Sequence, residues 1–315
     1  MDKNLALEFV RVTEAAAIES AKHIGKGDGK AADGAAVEAM RQRFNAIDFS
    51  GTIVIGEGKK DEAPELYVGE KLGNGNGPEM DIAVDPLECT DSVAYGRYNA
   101  IAVIATGPKG SLMQAPDTYM EKLAVGPKAK DVIDIDAPIQ ETIVKVARAL
   151  GKDVSDVTVS MLDRPRHDEL IRTIRSTGAR IRLVTDGDIA IAVATCVAES
   201  PIDILVGSGG SAESVLASVA LKILGGNMLT RFAPRNDADR EEMVKLGLQE
   251  GKIYGIEDLA KGNELTFTAT GVIDGPLLKG VVFNPDHITT HSVVMRSVSG
   301  TIRHLETQHR LSSSS

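Results

Sequence analysis

The pattern of hydrophobic and polar positions changes near residue 155 of the chain. Before this point it predicts two helices, over residues 4–24 and 30–46, and then short apolar strands at TIVIG, DIAVD and AIAVIAT, separated by turn residues. Leu5, Phe9 and Val12 lie near one face of the first helix. This half is typical of helices packed on a mixed or antiparallel sheet.

After residue 155, β-rich runs alternate with helical ones. Strands are predicted at VTVSML, RIRLV and DILVG, and helices begin near Asp168, Ile189 and Ser211. Such alternation is typical of βαβ units with a parallel sheet. The last third returns to strands and turns at ELTFTATG, LLKGVVF and HSVVMRS. We therefore expect an α/β protein of two stacked sheet-and-helix halves, residues 1–155 and 156–315.

Composition narrows the possible functions of this 315-residue chain. Its net charge of -10 repels nucleic acid and anionic membranes, and an aromatic content of 3% argues against stacking on bases. The longest apolar run, IAIAVATCVA, is too short to span a bilayer, and the amino terminus lacks a signal-peptide pattern. Cys89 and Cys196 are far apart and are typical of thiols in a reducing compartment, so we expect a cytoplasmic protein.

Polar side chains follow three successive strands of the second half. They are Arg164 and Arg166 after the first strand, Asp186 and Asp188 after the second, and a glycine-rich turn, Gly207–Glu213, after the third. Ligands bind beyond the carboxyl ends of strands in open parallel sheets. Arginine forks and glycine-turn amides suit phosphate, and carboxylates accept hydrogen bonds from sugar hydroxyls. Singly, each residue is more typical of a turn, a cap or a solvated loop; jointly they indicate a site for a phosphorylated polyol.

The first half supplies carboxylates at the ends of its elements. Asp33 lies at the start of a helix, Glu57 follows TIVIG, and Asp85 and Glu88 follow the strand DIAVD. Hard divalent cations such as Mg²⁺ and Mn²⁺ prefer several oxygen ligands, usually a few carboxylates and a substrate phosphate. The sequence therefore predicts a divalent-cation site, although each acid taken alone is more typical of a turn.

A different class of function is suggested by GSGGSA, residues 207–212, which fits a dinucleotide-binding fingerprint between a strand and a helix. That fingerprint needs an acidic residue about 20 positions later to bind the ribose. The segment GGNMLTRF offers none, so a nicotinamide-dependent oxidoreductase is the weaker hypothesis.

Several longer motifs carry a resemblance to a known family. DPLECT resembles the signature of the lithium-sensitive, magnesium-dependent phosphatases, and KAADGAAVEAMR, GTIVIGEG, DEAP, APDTYMEKLAVGP, PRH and DGD are similar to the bacterial class II fructose-1,6-bisphosphatases. The match runs from about Leu5 to Arg303. It implies a layered α-β-α-β-α sugar-phosphatase fold and hydrolysis of the 1-phosphate of fructose 1,6-bisphosphate in gluconeogenesis, by a homo-oligomer, dimer or tetramer, that uses two or more Mn²⁺ or Mg²⁺ ions.

The resemblance also assigns residues to roles. The implied metal ligands are Asp33, Glu57, Asp85, Glu88 and Glu213. The implied contacts to sugar and phosphate are Glu88, Thr90, Tyr119, Arg164, Arg166, Asp186, Asp188 and Gly210. We expect Thr90 to hydrogen-bond the attacking water, with Asp33 or Asp61 accepting its proton, and Arg164 with Arg166 to hold the 6-phosphate.

The chain departs from the family pattern at several positions. Cys89 stands where the family has glycine, Lys59 where an acid is usual, Glu65 where methionine is usual, and GSAES surrounds Glu213 in place of GAPEG. If position 89 has a positive φ or lies close to phosphate, a side chain there is obstructive; if its backbone is unstrained, cysteine fits. A catalytically impaired sugar-phosphate-binding protein therefore stands as one alternative. Sedoheptulose 1,7-bisphosphatase activity is another, because that substrate differs from fructose 1,6-bisphosphate by one carbon.

Overall fold

A computed structural model describes residues 5–58 and 66–311 of the chain. Within these ranges the helices are α1 (Leu5–Ala21), α2 (Gly29–Phe44), α3 (Thr90–Tyr95), α4 (Ile139–Leu150), α5 (Asp168–Ser176), α6 (Asp188–Ala194), α7 (Ser211–Leu224), α8 (Asp237–Lys245) and α9 (Ile256–Leu259). None of the helices in the described ranges is long and apolar enough to cross a membrane.

The strands of the described residues form two sheets. They are β1 (Ser50–Ile55), β2 (Lys71–Leu72), β3 (Glu79–Glu88), β4 (Ala100–Pro108), β5 (Tyr119–Val125), β6 (Thr158–Leu162), β7 (Arg180–Val184), β8 (Ile204–Gly210), β9 (Asn227–Ala233), β10 (Ile253–Gly255), β11 (Thr266–Ile273), β12 (Val282–Phe283), β13 (His287–Arg296) and β14 (Thr301–Arg310). The prediction of an α/β fold with two sheets flanked by helices is confirmed.

The chain divides into two compact units. The first comprises the described residues of Met1–Leu112 and Asn263–Ser315, and the second is Met113–Gly262. This division differs from the predicted halves: residue 155 lies inside the second unit, and the carboxyl-terminal strands belong with the first. The change of pattern near residue 155 marks the start of the parallel strands, whereas the units are defined by pairing between distant segments.

The first unit contains an eight-stranded sheet in the order β12-β13-β11-β4-β3-β1-β2, with β14 paired to β13. β1 and β3 are parallel, and the other described pairs are antiparallel, so of the predicted alternatives, a mixed or an antiparallel sheet, the structure has the mixed one. Its core includes Phe9, Phe44 and Phe49, whose ring centroids lie 5.5 to 6.0 Å apart in mostly edge-to-face arrangements. Phe9, on the buried face of α1, thus packs against Phe44 at the end of α2 and against Phe49, the residue before β1.

The second unit contains a six-stranded sheet in the order β10-β9-β5-β8-β6-β7. β6 is parallel to both β7 and β8, as predicted from the alternating pattern. β5, β9 and β10 extend this sheet in antiparallel orientation, which the sequence pattern did not predict. Helices α5 and α7 begin at the predicted residues, Asp168 and Ser211.

The bounds of several predicted elements need correction: α1 ends at Ala21 and not at residue 24, and only Val282–Phe283 of the predicted strand LLKGVVF is a strand. DIAVD was expected to end at Asp85, but β3 continues to Glu88, with a break in its register against β4 between those two residues. Helix α2 ends at Phe44, before the predicted residue 46. Its start is set by the N-cap Asp28, whose Oδ1 accepts a hydrogen bond of 2.9 Å from the amide of Ala31, an interaction that stabilises a helix by about 1 kcal/mol.

Candidate active site

The end of β3 presents the first group of predicted site residues. Asp85 is half-buried and Glu88 is 4% exposed. Asp85 Oδ1 accepts a hydrogen bond of 3.1 Å from the amide of Leu87, at the point where the register of β3 against β4 breaks. The two carboxylates lie three positions apart at the end of β3, which continues through Cys89 into α3. The predicted turn is therefore the distorted end of a strand.

Cys89 lies between this strand and α3, in the left-handed region, with φ 76° and ψ 52°. A non-glycine residue there costs about 1 kcal/mol. The thiol belongs to the hydrophobic core of the first unit, is 7% exposed, and lies 3.8 Å from Asn99 Nδ2. Of the two backbone conformations considered for this position, the structure therefore has the one that favours glycine, and the side chain is accommodated in the core.

Thr90 is the first residue of α3 and is half-buried. Its Oγ1 donates a hydrogen bond of 3.3 Å to the carbonyl oxygen of Leu87. A Cβ at Gly29, the first residue of α2, would lie 2.9 Å from Thr90 Cγ2, so the glycine lets the start of α2 approach Thr90. Asp61, the second candidate proton acceptor, lies outside the described residues.

Asp33 and Glu57 are electrostatically coupled carboxylates in the first unit. Burial raises the pKa of Asp33. Burial also raises the pKa of Glu57 to about 7, and the negative charge of Asp33 adds to this rise. Two half-buried carboxylates whose negative charges repel each other are suitable oxygen ligands for a hard divalent cation. Their donor chemistry therefore fits the predicted metal site.

The predicted ligands are nevertheless not drawn together as one complete cluster. Within residues 5–58 and 66–311, no group of three or more His, Cys, Asp or Glu side chains could hold a metal ion. Asp33, Glu57, Asp85 and Glu88 belong to the first unit and Glu213 to the second. The five-ligand set remains a prediction.

In the second unit, the predicted rim at the carboxyl ends of β6, β7 and β8 is present. Arg164, just after β6, places its Nη2 3.0 Å from Oδ1 of Asp186, which follows β7. Because the strands are parallel, residues 22 positions apart in sequence meet at one sheet edge. Both side chains are about one-third exposed, so the pair faces a surface that a solute can reach.

Arg166 is held against the end of β8 and against an aromatic ring. Its Nε donates to Ser208 Oγ at 2.8 Å, and its Nη2 donates to the Ser208 carbonyl at 2.7 Å. The guanidinium carbon lies 4.6 Å from the ring centroid of Tyr119, a cation–π distance. Tyr119 begins β5 and pairs with Gly210 at the end of β8, which brings it to the same edge.

The side chain of His167 hydrogen-bonds the backbone of both β6 and β8 near Arg166. The amide of Ser208 donates to its Nε2 at 2.9 Å, and Nδ1 lies 2.8 Å from the carbonyl oxygen of Leu162. Burial lowers the pKa of His167, and the nearby Arg166 and Arg164 act in the same direction. A neutral imidazole therefore ties the end of β6 to the end of β8. His167 directly precedes α5, and no feature of the sequence indicated this bridge.

Asp188 and Glu213 lie beside a lysine that the sequence analysis missed. Asp188 begins α6 and is 7% exposed, and its Oδ2 accepts a hydrogen bond of 2.6 Å from Nζ of Lys122 on β5. Burial raises the pKa of Glu213, the positive charge of Lys122 lowers it, and the negative charge of Asp188 raises it. Lys122 could not be found from the sequence because β5 was not predicted to lie beside β8.

Residues 3–309 match the model of a family described as bacterial fructose-1,6-bisphosphatase, glpX-encoded. The chain is 44% identical over 324 aligned positions to fructose-1,6-bisphosphatase 1 class 2 of Escherichia coli strain K12, covering 99% of this chain and 96% of that protein. The identity and coverage are the same for the fructose-1,6-bisphosphatases class 2 of Escherichia coli O6:H1 and Shigella flexneri.

Proposed function

The chain belongs to the bacterial class 2 fructose-1,6-bisphosphatase family, and on that premise we propose which of its residues carry the hydrolysis of fructose 1,6-bisphosphate. Membership makes it a phosphatase of gluconeogenesis that depends on a divalent metal. The observation that carries the proposal is the family match over residues 3–309, in a chain whose second sheet gathers arginines and carboxylates at one edge. Neither sedoheptulose bisphosphatase activity nor binding without turnover is favoured by this match.

The reaction cleaves the bond between phosphorus and the sugar oxygen at carbon 1. Water attacks phosphorus, the sugar oxygen leaves and takes up a proton, and the products are fructose 6-phosphate and inorganic phosphate. We assign Thr90 Oγ1 to orient this water, and Asp33 or Asp61 to accept the proton that the water loses. Thr90 is suited to this because its hydroxyl can redirect from the Leu87 carbonyl, 3.3 Å away, toward a bound water.

The distal 6-phosphate is assigned to the arginines. Arg164 and Arg166 keep their positive charge, and the guanidinium N–H groups that do not bond Asp186 or Ser208 can donate to a phosphate, so the two arginines favour a substrate with a second phosphate. Asp186, Asp188 and Gly210 are assigned to the sugar between the two phosphates, and Tyr119 holds the guanidinium of Arg166 in place by its ring.

The metal ligands are assigned to Asp33, Glu57, Asp85, Glu88 and Glu213, with Glu88 also touching the substrate. Two or more Mn²⁺ or Mg²⁺ ions held there would neutralise the 1-phosphate and lower the pKa of bound water. DPLECT, Asp85–Thr90, supports placement among the lithium-sensitive, magnesium-dependent phosphatases. We further propose that the protein is cytoplasmic and forms a homo-oligomer, either a dimer or a tetramer.

The test is release of inorganic phosphate from fructose 1,6-bisphosphate with Mg²⁺, Mn²⁺ or a chelator. We expect release with at least one metal and none with chelator. Glu57→Gln should lower kcat by about a hundredfold, because an amide is a weaker cation ligand than a carboxylate. Glu79→Gln is the matched control, since Glu79 is an exposed carboxylate of the same unit paired with Lys109. Release that persists in chelator would contradict the assignment of metal ligands.

A further inference from the structure

Lys122 is a buried cation that the scheme above leaves without a role. Its side chain is 3% exposed, and its Nζ lies 2.6 Å from Asp188 Oδ2. A buried ammonium is costly unless a partner compensates its lost hydration, and removal of either partner leaves the other charge unbalanced. The pair is therefore a fixed unit in the interior of the second unit, between β5 and the start of α6.

The carboxylates of Asp188 and Glu213 pack against two consecutive glycines, Gly209 and Gly210, at the end of β8. A Cβ added at Gly209 would lie 2.1 Å from Asp188 Oδ2 and 3.1 Å from Lys122 Nζ, and one added at Gly210 would lie 2.0 Å from Glu213 Oε2. Both carboxylates thus lie against the strand end that the glycines leave open. Lys122 is the cation that interacts with both of them.

The same lysine lines a small pocket that reaches the Arg166 loop. Lys122 and Asp188 form part of its wall, together with His167 and Ser208. Ser208 is the residue that accepts both hydrogen bonds from Arg166. Lys122 therefore lines the same pocket as Asp188, which is assigned to the sugar, and as Ser208, which holds Arg166.

We propose that Lys122 is a positioning residue of the hydrolysis. Its ammonium orients Asp188 for the sugar and compensates the negative charge of Asp188 beside Glu213. The inference rests on the proposed function, in which Asp188 contacts the sugar and Glu213 binds metal. The geometry gives Lys122 one bond to Asp188 Oδ2, which holds the carboxylate in one orientation and leaves its other oxygen available to a hydroxyl.

Loss of the lysine charge should change two affinities in opposite directions. Without Lys122, Asp188 loses its fixed orientation, so a sugar phosphate binds more weakly. Glu213 then faces an uncompensated carboxylate, so a divalent cation binds more tightly. A lysine that serves only to hold the fold would alter stability and neither affinity.

The experiment uses Lys122→Met in the metal-free full-length protein. Binding of Mn²⁺ is followed by electron paramagnetic resonance of the free ion, and binding of fructose 6-phosphate by calorimetry. We expect the dissociation constant to fall about threefold to tenfold for Mn²⁺ and to rise about tenfold for fructose 6-phosphate. Lys152→Met is the matched control: its Nζ also lies 2.6 Å from an aspartate, Asp203, and we expect it to leave both constants unchanged.

A double variant keeps the test decisive if Lys122→Met folds poorly. Lys122→Met with Asp188→Asn removes both charges together, which costs a fold far less than removing one. Its Mn²⁺ affinity should return to within about threefold of the unsubstituted protein, while fructose 6-phosphate binding stays weak. Unchanged affinities in both variants, or weaker Mn²⁺ binding in Lys122→Met, would overturn the inference.

The two proposals fail in different ways. An unsubstituted protein that releases no phosphate with any metal contradicts the assignment of the catalytic residues. One that hydrolyses fructose 1,6-bisphosphate, while Lys122→Met retains the affinities of Lys152→Met, contradicts the role of Lys122 alone.

Discussion

Arg164 and Asp186 form an ion pair of 3.0 Å between the ends of two parallel strands. At about one-third exposure the pair contributes little to stability, about 0.5 kcal/mol, so its main effect is to aim both side chains. The carboxylate orients the guanidinium fork at the sheet edge where phosphate is proposed to bind.

We therefore expect Arg164→Met and Asp186→Asn each to raise KM for fructose 1,6-bisphosphate about tenfold or more. The double variant should raise KM by less than the product of the single effects, because each change already disrupts the pair. Steady-state kinetics at saturating metal measure this cycle. Arg180→Met is the control: Arg180 is the first residue of β7, at the opposite end of that strand from Asp186, and is paired with Asp156. This variant should leave KM unchanged.

Arg166 is predicted to select a bisphosphate. Arg166→Ala should lower kcat/KM for fructose 1,6-bisphosphate by about a hundredfold, and affect fructose 1-phosphate much less, because the latter has no second phosphate to lose. Phosphate release from the two substrates gives the ratio. An unchanged ratio would remove Arg166 from the distal phosphate.

We predict that Cys89 lowers the free energy of unfolding because its backbone has a left-handed conformation, and not because of its thiol. Cys89→Ala and Cys89→Gly both remove the buried sulfur, but glycine alone relieves the φ of 76°. We expect Cys89→Gly to be the more stable of the two by about 1 kcal/mol, although it removes one more carbon. Denaturant unfolding makes the comparison.

Both Cys89 variants should retain phosphatase activity within about threefold, since the thiol is packed in the hydrophobic core. If only Cys89→Gly turns over, the side chain obstructs catalysis despite its burial. Greater stability of Cys89→Ala would show that the backbone at this position is not strained.

Asp239 is predicted to make stability depend on pH. A hydrogen bond from Arg235 holds the pKa of this carboxyl well below its usual range, and Thr118 Oγ1 adds a second donor at 2.7 Å. A carboxyl with a lowered folded-state pKa stabilises the fold fully above its unfolded pKa, near 4, and this contribution is lost as pH falls toward the lower value.

We therefore expect Asp239→Asn to reduce the free energy of unfolding by about 2 kcal/mol at pH 7, with the difference shrinking below about pH 4. Urea denaturation between pH 3 and 8 measures it. Asp237→Asn, in the first turn of the same helix and 96% exposed, should change stability by less than about 0.5 kcal/mol at every pH. A difference that grows on acidification would contradict the role of Asp239.

The sequence by itself determined the elements and the chemistry at their ends. Helix α5 and the parallel strands β6, β7 and β8 follow from local periodicity, and Arg164, Asp186 and Gly210 could be placed at one edge because parallel strands end on the same side. Long motifs such as GTIVIGEG and APDTYMEKLAVGP indicated the family, since several of them in the right order are specific.

The tertiary structure alone decided what depends on pairing between distant segments. The antiparallel placement of β5 beside β8 brings Lys122 to Asp188, 66 positions away, and no local pattern encodes that approach. The return of β11 and β13 to the first sheet likewise overrides the predicted boundary at residue 155. Position 89 could be recognised as unusual from its residue type, but its left-handed backbone is set by how β3 turns into α3. Hydrophobic periodicity indicates which face of one segment is buried. The pairing and register between strands depend on contacts made by the whole folded chain.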